Sequence, residues 1–91
     1  MKTKYVPLKN YLDRNNKFVR LPGKRQKDKQ HLMLVFLATK FEMGRDYTEQ
    51  EVNQLLNRYH SFNDPATLRR LMFGKQLLDR TIDGKRYWRK G

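Results

Sequence analysis

Hydrophobic residues recur at helical spacing in the second half of the chain. One series occupies positions i, i+3, i+4 and i+7, namely Val52, Leu55, Leu56 and Tyr59. This spacing predicts a helix with one buried face. The preceding residues, Thr48 to Glu51, have the form of a capping box, with Thr48 as the N-cap and Glu51 at the third helical position. We therefore predict a helix that begins after Thr48 and ends near His60.

A further helix is predicted after the short turn formed by residues 61–63. Asp64 is a favourable N-cap, and Pro65 suits the first helical position because its φ is fixed and it has no N–H. Leu68, Leu71 and Met72 follow at helical spacing. These residues predict about three helical turns from Pro65. A connection this short between two helices is typical of a helix-turn-helix.

The pattern then changes to that of a β-hairpin. Two short runs, Leu77 to Ile82 and Lys85 to Arg89, flank Asp83-Gly84. This pair is favoured in the two-residue type I′ turn, so we predict a hairpin with that turn. Tyr47, which lies before the capping box, is expected to form a brief strand that pairs with the hairpin.

The predicted hairpin register has consequences for the aromatic residues. Arg80 would lie opposite Tyr87, and Asp79 opposite Trp88, so Arg80 is expected to stack on the Tyr87 ring. Phe73 falls on the outward side of its helix. We expect it to pack beneath the hairpin against Tyr87 or Trp88, the alternative being exposure to a partner.

The first half of the chain predicts a buried helix and a short amphipathic one. Eight of the ten residues from Leu32 to Phe41 are apolar, which predicts a helix from about Arg25 or Asp28 to Phe41 that is buried on most sides. Upstream, one helical face carries Tyr5, Leu8, Tyr11 and Leu12. This N-terminal segment, up to about Arg20, either docks on the domain or serves as an arm.

The order of these elements is helix, extended piece, helix, turn, helix, strand, tight turn, strand. It predicts an α+β, winged-helix-like fold: a three-helix core with a C-terminal two-stranded β-hairpin wing and an extra N-terminal helix. We expect residues 1–20 to form the N-terminal helix and a basic arm, and residues 21–91 to form the winged-helix-like domain.

Positive charge is concentrated at both ends of the chain. The formal net charge is +12. Residues 1–29 hold ten basic and two acidic residues, residues 30–68 hold three and five, and residues 69–91 hold eight and two. Clustered cations indicate a polyanionic partner because phosphate binding releases counterions. The alternative is a solvated basic surface that favours solubility.

Several classes of function find little support in the composition. A chain of 91 residues without cysteine has neither disulfides nor a thiolate nucleophile nor a Cys-based zinc site. The sequence has neither paired acidic residues nor a glycine-rich phosphate loop that would indicate catalysis. His60 is expected to cap its helix or to contact Asp64. We expect no enzymatic activity, cofactor or metal. No membrane-spanning segment or signal peptide is apparent, so a cytoplasmic location is expected.

Candidate binding residues follow from the helix faces. With Leu68, Leu71 and Met72 turned inward, Ala66 and Arg70 face outward, and Thr67 and Arg69 flank them. We predict that Thr67, Arg69 and Arg70 enter a DNA groove. Phosphate contacts are predicted for the basic residues Lys24, Arg25, Lys27, Lys85, Arg86 and Arg89. The cluster before the first long helix either holds a phosphate at the helix start or belongs to an unstructured linker.

Several short motifs occur together along about three quarters of the chain. They are Leu21-Pro22 through Phe41-Glu42, Gly44-Arg45, Tyr47-Thr48-Glu49, Glu51-Val52-Asn53, Tyr59-His60, Ala66-Thr67-Leu68-Arg69-Arg70, Leu77-Leu78 and Tyr87-Trp88-Arg89. In this combination the chain resembles the bacterial domain of unknown function 2087 family. Such domains occur alone or fused to helix-turn-helix domains, so the resemblance implies a regulatory context. Gln76 stands where the family pattern commonly has glycine, which predicts strain or an altered helix end at that position.

Together these features predict a nucleic-acid-binding domain, with duplex DNA as the partner and a role in transcription regulation. The alternative is a protein-interaction or effector-sensing module of a transcriptional regulator that does not itself bind DNA. A protein partner or a homodimer is compatible with either function, and no membrane partner is expected.

Overall fold

A computed structural model describes residues 3–91 and arranges them as helices packed against a small antiparallel sheet. In chain order the elements are a 3-10 helix at Thr3–Tyr11, a 3-10 turn at Lys24–Gln26, α1 at Lys27–Ala38, β1 at Asp46–Tyr47, α2 at Glu49–Asn57, α3 at Pro65–Gly74, β2 at Leu78–Arg80 and β3 at Tyr87–Arg89. This is the predicted α+β, winged-helix-like order.

The sheet has the strand order β1-β3-β2, with both pairs antiparallel. Tyr47 of β1 lies opposite Tyr87, which confirms the predicted pairing of this short strand with the hairpin. In the hairpin, Arg80 lies opposite Tyr87 and Asp79 opposite Trp88, as predicted. The wing is therefore attached to the helical core through β1 as well as through α3.

The predicted type I′ turn at Asp83-Gly84 is wrong. Gly84 has a positive φ of 72° but Asp83 does not, whereas a type I′ turn needs a positive φ at both residues. The amide of Gly84 donates to the carbonyl of Thr81 at 3.0 Å, so the turn is centred on Ile82 and Asp83. The carboxylate of Asp83 accepts from the Thr81 hydroxyl at 2.6 Å and from the Lys85 amide at 3.0 Å, which stabilises this longer connection.

The N-terminal helix is a 3-10 helix rather than an α-helix. Tyr5, Leu8 and Tyr11 are buried and lie three residues apart, which places them on one edge of a helix with three residues per turn. Pro7 lies inside this helix and supplies no backbone donor. The Tyr5 ring meets the Phe36 ring edge-on, with 5.0 Å between centroids. Of the two alternatives for this segment, the structure therefore has it docked on α1.

An extended residue joins the N-terminal segment to the end of α2. The Phe18 amide donates to the Tyr59 carbonyl at 2.8 Å, and the Ser61 amide donates to the Phe18 carbonyl at 2.9 Å. The Phe18 side chain is completely buried. Residues on both sides of position 20 thus share one core. The division into an N-terminal segment at residues 1–20 and a domain at residues 21–91 stays a prediction.

Helix α1 supplies the centre of that core. Its buried residues are Met33, Leu34, Leu37 and Ala38. The helix ends at Ala38, three residues before the predicted end, because Thr39 and Lys40 form a turn in which the Thr39 hydroxyl donates to the Phe36 carbonyl. Phe41 is nevertheless buried, and its ring meets that of Tyr47 with centroids 5.1 Å apart. Hydrophobic burial here continues past the end of the helix.

The predicted caps of α2 and α3 are confirmed. Thr48 and Glu51 form both hydrogen bonds of a capping box, at 3.1 and 2.9 Å. Asp64 accepts from the Thr67 amide at 3.2 Å. Helix α2 ends at Asn57, slightly before the predicted end near His60. These short-range hydrogen bonds satisfy amide groups that a helix start otherwise leaves without partners.

Helix α3 ends in a Schellman motif whose left-handed residue is Gln76. The Leu77 amide donates to the Met72 carbonyl at 2.9 Å, and the Gln76 amide donates to the Phe73 carbonyl at 3.0 Å. Gln76 has a φ of 61°, the region in which glycine is usual because a Cβ atom is unfavourable there. The predicted strain at this position is confirmed.

We expect Gln76→Gly to stabilise the protein. Glycine removes the cost of a left-handed conformation, about 1–2 kcal/mol. It also increases the conformational entropy of the unfolded chain, which destabilises the folded state by roughly 0.5–1 kcal/mol. The free energy of unfolding should therefore rise by about 0.5–1 kcal/mol. Urea unfolding measures it. Gln76→Ala is the matched control, since it also loses the exposed contact with Lys90 but keeps the Cβ atom. A glycine variant no more stable than the alanine variant would contradict the assignment of strain.

Tyr5→Phe is also expected to leave the protein at least as stable as the parent. Among the described residues, the buried Tyr5 hydroxyl has no hydrogen-bond partner, and an unsatisfied buried group of this kind costs about 1–3 kcal/mol. Phenylalanine keeps the ring contact with Phe36 and removes that cost. Thermal unfolding monitored by circular dichroism checks the result; a clear loss of stability would mean that the hydroxyl makes a favourable contact.

Candidate nucleic-acid interface

The outward surface of α3 is set by its cap and by its buried side. Leu68 and Met72 are fully buried, whereas Thr67 is half-buried and Arg70 is exposed. The Thr67 hydroxyl, together with its amide, holds the pKa of the Asp64 carboxyl below its ordinary value. The helix therefore exposes Arg70, as predicted, and Thr67 lies half-buried beside it, where its hydroxyl accepts from the Arg70 guanidinium at 3.4 Å.

A buried histidine connects α2 to this helix. His60 Nε2 accepts a hydrogen bond from the Asp64 amide at 3.0 Å, which requires the proton to be on Nδ1. Nδ1 in turn donates to the Leu56 carbonyl at 2.7 Å. The ring also meets Phe62 edge-on at 4.6 Å. His60 thus caps α2 and contacts Asp64, so both sequence-based expectations for it are confirmed.

Arg69 lies inside the helix-turn-helix rather than on its outer surface. Its guanidinium forms an ion pair with Glu49 at 2.7 Å and donates to the side-chain oxygen of Asn53. Only 12% of the Arg69 side chain is exposed. The same group lies 5.9 Å from the centroid of the Tyr87 ring. In this arrangement Arg69 ties α3 to α2 and to the sheet.

The sequence indicated only weakly that Glu49 and Asn53 would contact Arg69. The two residues are four positions apart and so share one face of α2. Which residue of α3 meets that face depends on the crossing of the two helices, which the spacing within α2 does not encode.

The wing places a second arginine over α3. The Arg80 guanidinium lies 4.5 Å from the centroid of the Phe73 ring. The predicted stacking of Arg80 on Tyr87 is therefore wrong, although the two residues are strand partners. Phe73 remains 37% exposed, so it is covered by an arginine from the wing rather than packed fully beneath it. The wing bends towards α3 closely enough for this contact.

A cleft of about 410 Å³ lies between α3 and the wing. Its lining residues are Glu49, Arg69, Arg70, Phe73, Arg80, Asp83, Gly84 and Tyr87. Within residues 3–91, neither Arg70 nor Arg80 forms an ion pair with a carboxylate. The cleft thus contains two guanidinium groups without an ion pair in this range, one from the helix and one from the wing, beside the carboxylates of Glu49 and Asp83.

The tip of the wing carries the predicted phosphate contacts Lys85 and Arg86, and both are exposed. Arg86 forms an ion pair with Asp46 at 3.7 Å, with both side chains more than half exposed. Such surface pairs contribute little to stability, so a phosphate can replace the carboxylate at small cost. The Thr81 hydroxyl and the Lys85 amide, which both donate to the Asp83 carboxylate, hold the pKa of that carboxyl below its ordinary value.

The remaining predicted phosphate residues lie away from this cleft. Lys24 and Arg25 are exposed on the 3-10 turn that leads into α1, and Lys27 is exposed at the start of α1. The segment is structured, so it is not the unstructured linker considered above. Arg89 is half-buried, and its guanidinium donates to the Phe41 carbonyl at 3.3 Å. This contact ties β3 to the end of α1.

The chain was compared with known protein families. The model of the family described as "uncharacterized protein conserved in bacteria" (DUF2087) matches residues 17–89. The chain belongs to this family. Searches of curated proteins and of solved structures found no match. The matched range of this DUF2087 domain includes the extended residue Phe18, all three α-helices and the wing.

No helix within residues 3–91 is both long and apolar enough to cross a membrane. In the same residues, no three histidine, aspartate or glutamate side chains come together in a way that could hold a metal ion.

Arg69→Met is expected to destabilise the protein by about 1–2 kcal/mol. Methionine keeps most of the aliphatic stem but removes a charged hydrogen-bond donor, and we reduce the usual value because Glu49 is half exposed. Arg70→Met is the matched control on the same helix and should change the free energy of unfolding by less than about 0.5 kcal/mol. Equal effects of the two substitutions on urea unfolding would show that Arg69 has no structural role.

Proposed function

We propose that this domain binds duplex DNA through α3 and the wing. The observation that carries the proposal is that Arg70 from α3 and Arg80 from the wing line one cleft, and neither forms an ion pair with a carboxylate within residues 3–91. Cations that converge from two elements without direct ion pairs favour an anionic partner over a purely solvated surface. Binding rather than catalysis is the proposed activity.

In the proposed complex, α3 enters the major groove. Thr67 and Arg70 then approach base edges, for which an arginine offers two donors to guanine. Arg69 is reassigned from base contact to the positioning of α3, since Glu49 and Asn53 already occupy its donors. Arg89 likewise positions β3 against Phe41, in the segment that follows α1.

The wing supplies phosphate contacts on the flank of the groove. Lys85 and Arg86 project from its tip, and Arg80 is held in place by the Phe73 ring. Contact with the ring limits the motion of the guanidinium and so lowers the entropy lost on binding. Further phosphate contacts are proposed for the exposed cluster at the start of α1, which comprises Lys24, Arg25 and Lys27.

A transcription-regulatory role follows from duplex binding as part of the same proposal. Bacterial DNA lies in the cytoplasm, so the proposal also places the domain there.

The second candidate function is docking to a protein or sensing of an effector. It is favoured by the partly exposed Phe73 and by Ile82, whose side chain is fully exposed at the wing tip. Apolar side chains on a surface commonly mark contacts with proteins.

The salt dependence of duplex binding tests the proposal. A short random-sequence duplex should bind at low salt, and log K should fall steeply with log salt between about 50 and 200 mM. Lys85→Ala together with Arg86→Ala should reduce the slope by about one for each lost phosphate contact. Fluorescence anisotropy of a labelled duplex measures both affinities.

The matched control is Lys9→Ala with Arg14→Ala, which removes the same charge from exposed residues in the N-terminal segment. Its slope should equal that of the parent. Equal slopes in the wing variant and the parent would remove the wing from the interface. Absence of duplex binding at low salt would reject the proposal. NMR shifts on titration with duplex should cluster at residues 66–73 and 80–87.

The second candidate predicts a different result. A protein or effector would bind in the absence of any duplex affinity, and its binding, seen in a pull-down or as a shift of the melting temperature, would survive Arg70→Ala.

A further inference from the structure

A second cleft lies between the N-terminal 3-10 helix, the loop that follows it and the ends of α1 and α2. Its volume is about 680 Å³, within the range of small-molecule sites. The lining residues are Lys4, Tyr5, Leu12, Asn16, Phe36, Thr39, Lys40 and Tyr59. None of them belongs to the cleft between α3 and the wing. This is a separate surface, which the proposed DNA contacts do not use.

Three aromatic rings line this second cleft, from Tyr5, Phe36 and Tyr59. The rings of Tyr5 and Phe36 are already fixed edge-to-face, at 5.0 Å and an interplanar angle of 77°. A second edge-to-face contact, with the buried Phe18, holds Phe36 from another direction at 5.6 Å. Rings held in this way offer a preformed apolar surface to a flat ligand.

The charged residues that line the second cleft are both cationic. The Lys40 ammonium lies 4.7 Å from the centroid of Phe36 and 5.4 Å from that of Tyr59. The Lys4 ammonium lies 5.1 Å from the centroid of Tyr5. Within residues 3–91, neither lysine forms an ion pair with a carboxylate. Two ammonium groups held near aromatic rings, without a counterion, favour an anionic ligand.

One buried polar group that has no hydrogen-bond partner within residues 3–91 also lies at this cleft. The hydroxyl of Tyr5 is buried and has no hydrogen-bond partner among the described residues. Asn16 lies at the edge of the cleft with a left-handed φ of 60°. A ligand oxygen that reached the Tyr5 hydroxyl would satisfy a group that has no partner among the described residues.

We propose that the second cleft binds a small aromatic carboxylate. The ligand ring packs among Tyr5, Phe36 and Tyr59, and its carboxylate meets the ammonium groups of Lys4 and Lys40. The charge of the lysines disfavours a cationic ligand, and an inorganic anion would leave the aromatic surface unused. The inference goes beyond duplex binding and does not depend on it, since the two clefts have no residue in common.

Titration of the full chain with 2-naphthoate tests the inference. The amides of residues around the second cleft should shift in NMR spectra, and calorimetry should give a dissociation constant of millimolar or lower. The neutral amide, 2-naphthamide, should bind several-fold more weakly, and so should acetate, which lacks the ring. Equal affinity for acetate and naphthoate would indicate ordinary counterion association and would overturn the proposal, as would equal affinity for the neutral amide.

Removal of the two ammonium groups provides the second arm of the test. Lys4→Gln combined with Lys40→Gln should weaken naphthoate binding about tenfold, since each exposed charge pair contributes up to roughly a factor of five. Lys75→Gln combined with Lys90→Gln removes the same charge outside the cleft and should leave the affinity unchanged. Melting temperatures of both variants establish that they are folded. Similar losses in the two variants, or no binding by the parent at millimolar ligand, would reject the site.

Discussion

The placement of α3 depends on the buried His60 at the turn that precedes it. One ring nitrogen donates to the last turn of α2, and the other accepts from the residue that caps α3. The backbone on either side of His60 is held by the extended residue Phe18, which bonds to Tyr59 and Ser61. Because these bonds are shielded from water, breaking one of them leaves a buried polar group without a partner. The direction in which α3 presents Thr67 and Arg70 follows from this connection.

The arginines near α3 serve two different purposes. Arg69 and Arg89 have internal acceptors and hold neighbouring elements together, whereas Arg70 and Arg80 have no carboxylate partner within the described part of the chain. A largely buried arginine such as Arg69 gains little from a phosphate, because the exchange breaks a close charged interaction to form another, whereas the exposed pair of Arg86 with Asp46 is exchanged at small cost. Fewer basic residues in this region are therefore proposed to contact DNA than the sequence contains, because Arg69 and Arg89 are not among them.

The two clefts divide the surface of the DUF2087 domain into regions of different chemistry. The cleft at the wing combines guanidinium groups with the carboxylates of Glu49 and Asp83, whereas the second cleft combines ammonium groups with aromatic rings. Phe36 connects the second cleft to the core, since its ring also contacts the buried Phe18. The N-terminal segment is thus part of a candidate binding site as well as part of the core, because Tyr5 belongs to both.

Local features of the sequence were sufficient for the element order, the caps of α2 and α3 and the hairpin register, whereas the expectation for Gln76 came from the family resemblance. Each of the first three depends on residues close together in the chain, whose geometry follows from backbone sterics and hydrogen bonds. Even so, the type of the wing turn was missed, because the Asp83 carboxylate competes with the preferred conformation of the Asp-Gly pair.

The functional surface depended more on contacts between elements. The internal role of Arg69, the stacking of Arg80 on Phe73 and the assembly of the second cleft each require side chains from different elements to meet. Helix periodicity assigns a residue to a face but does not say which neighbour covers that face. The sequence by itself therefore determined where the helices and strands form. Only tertiary packing decided which charged and aromatic side chains hold the fold together and which remain available to a ligand.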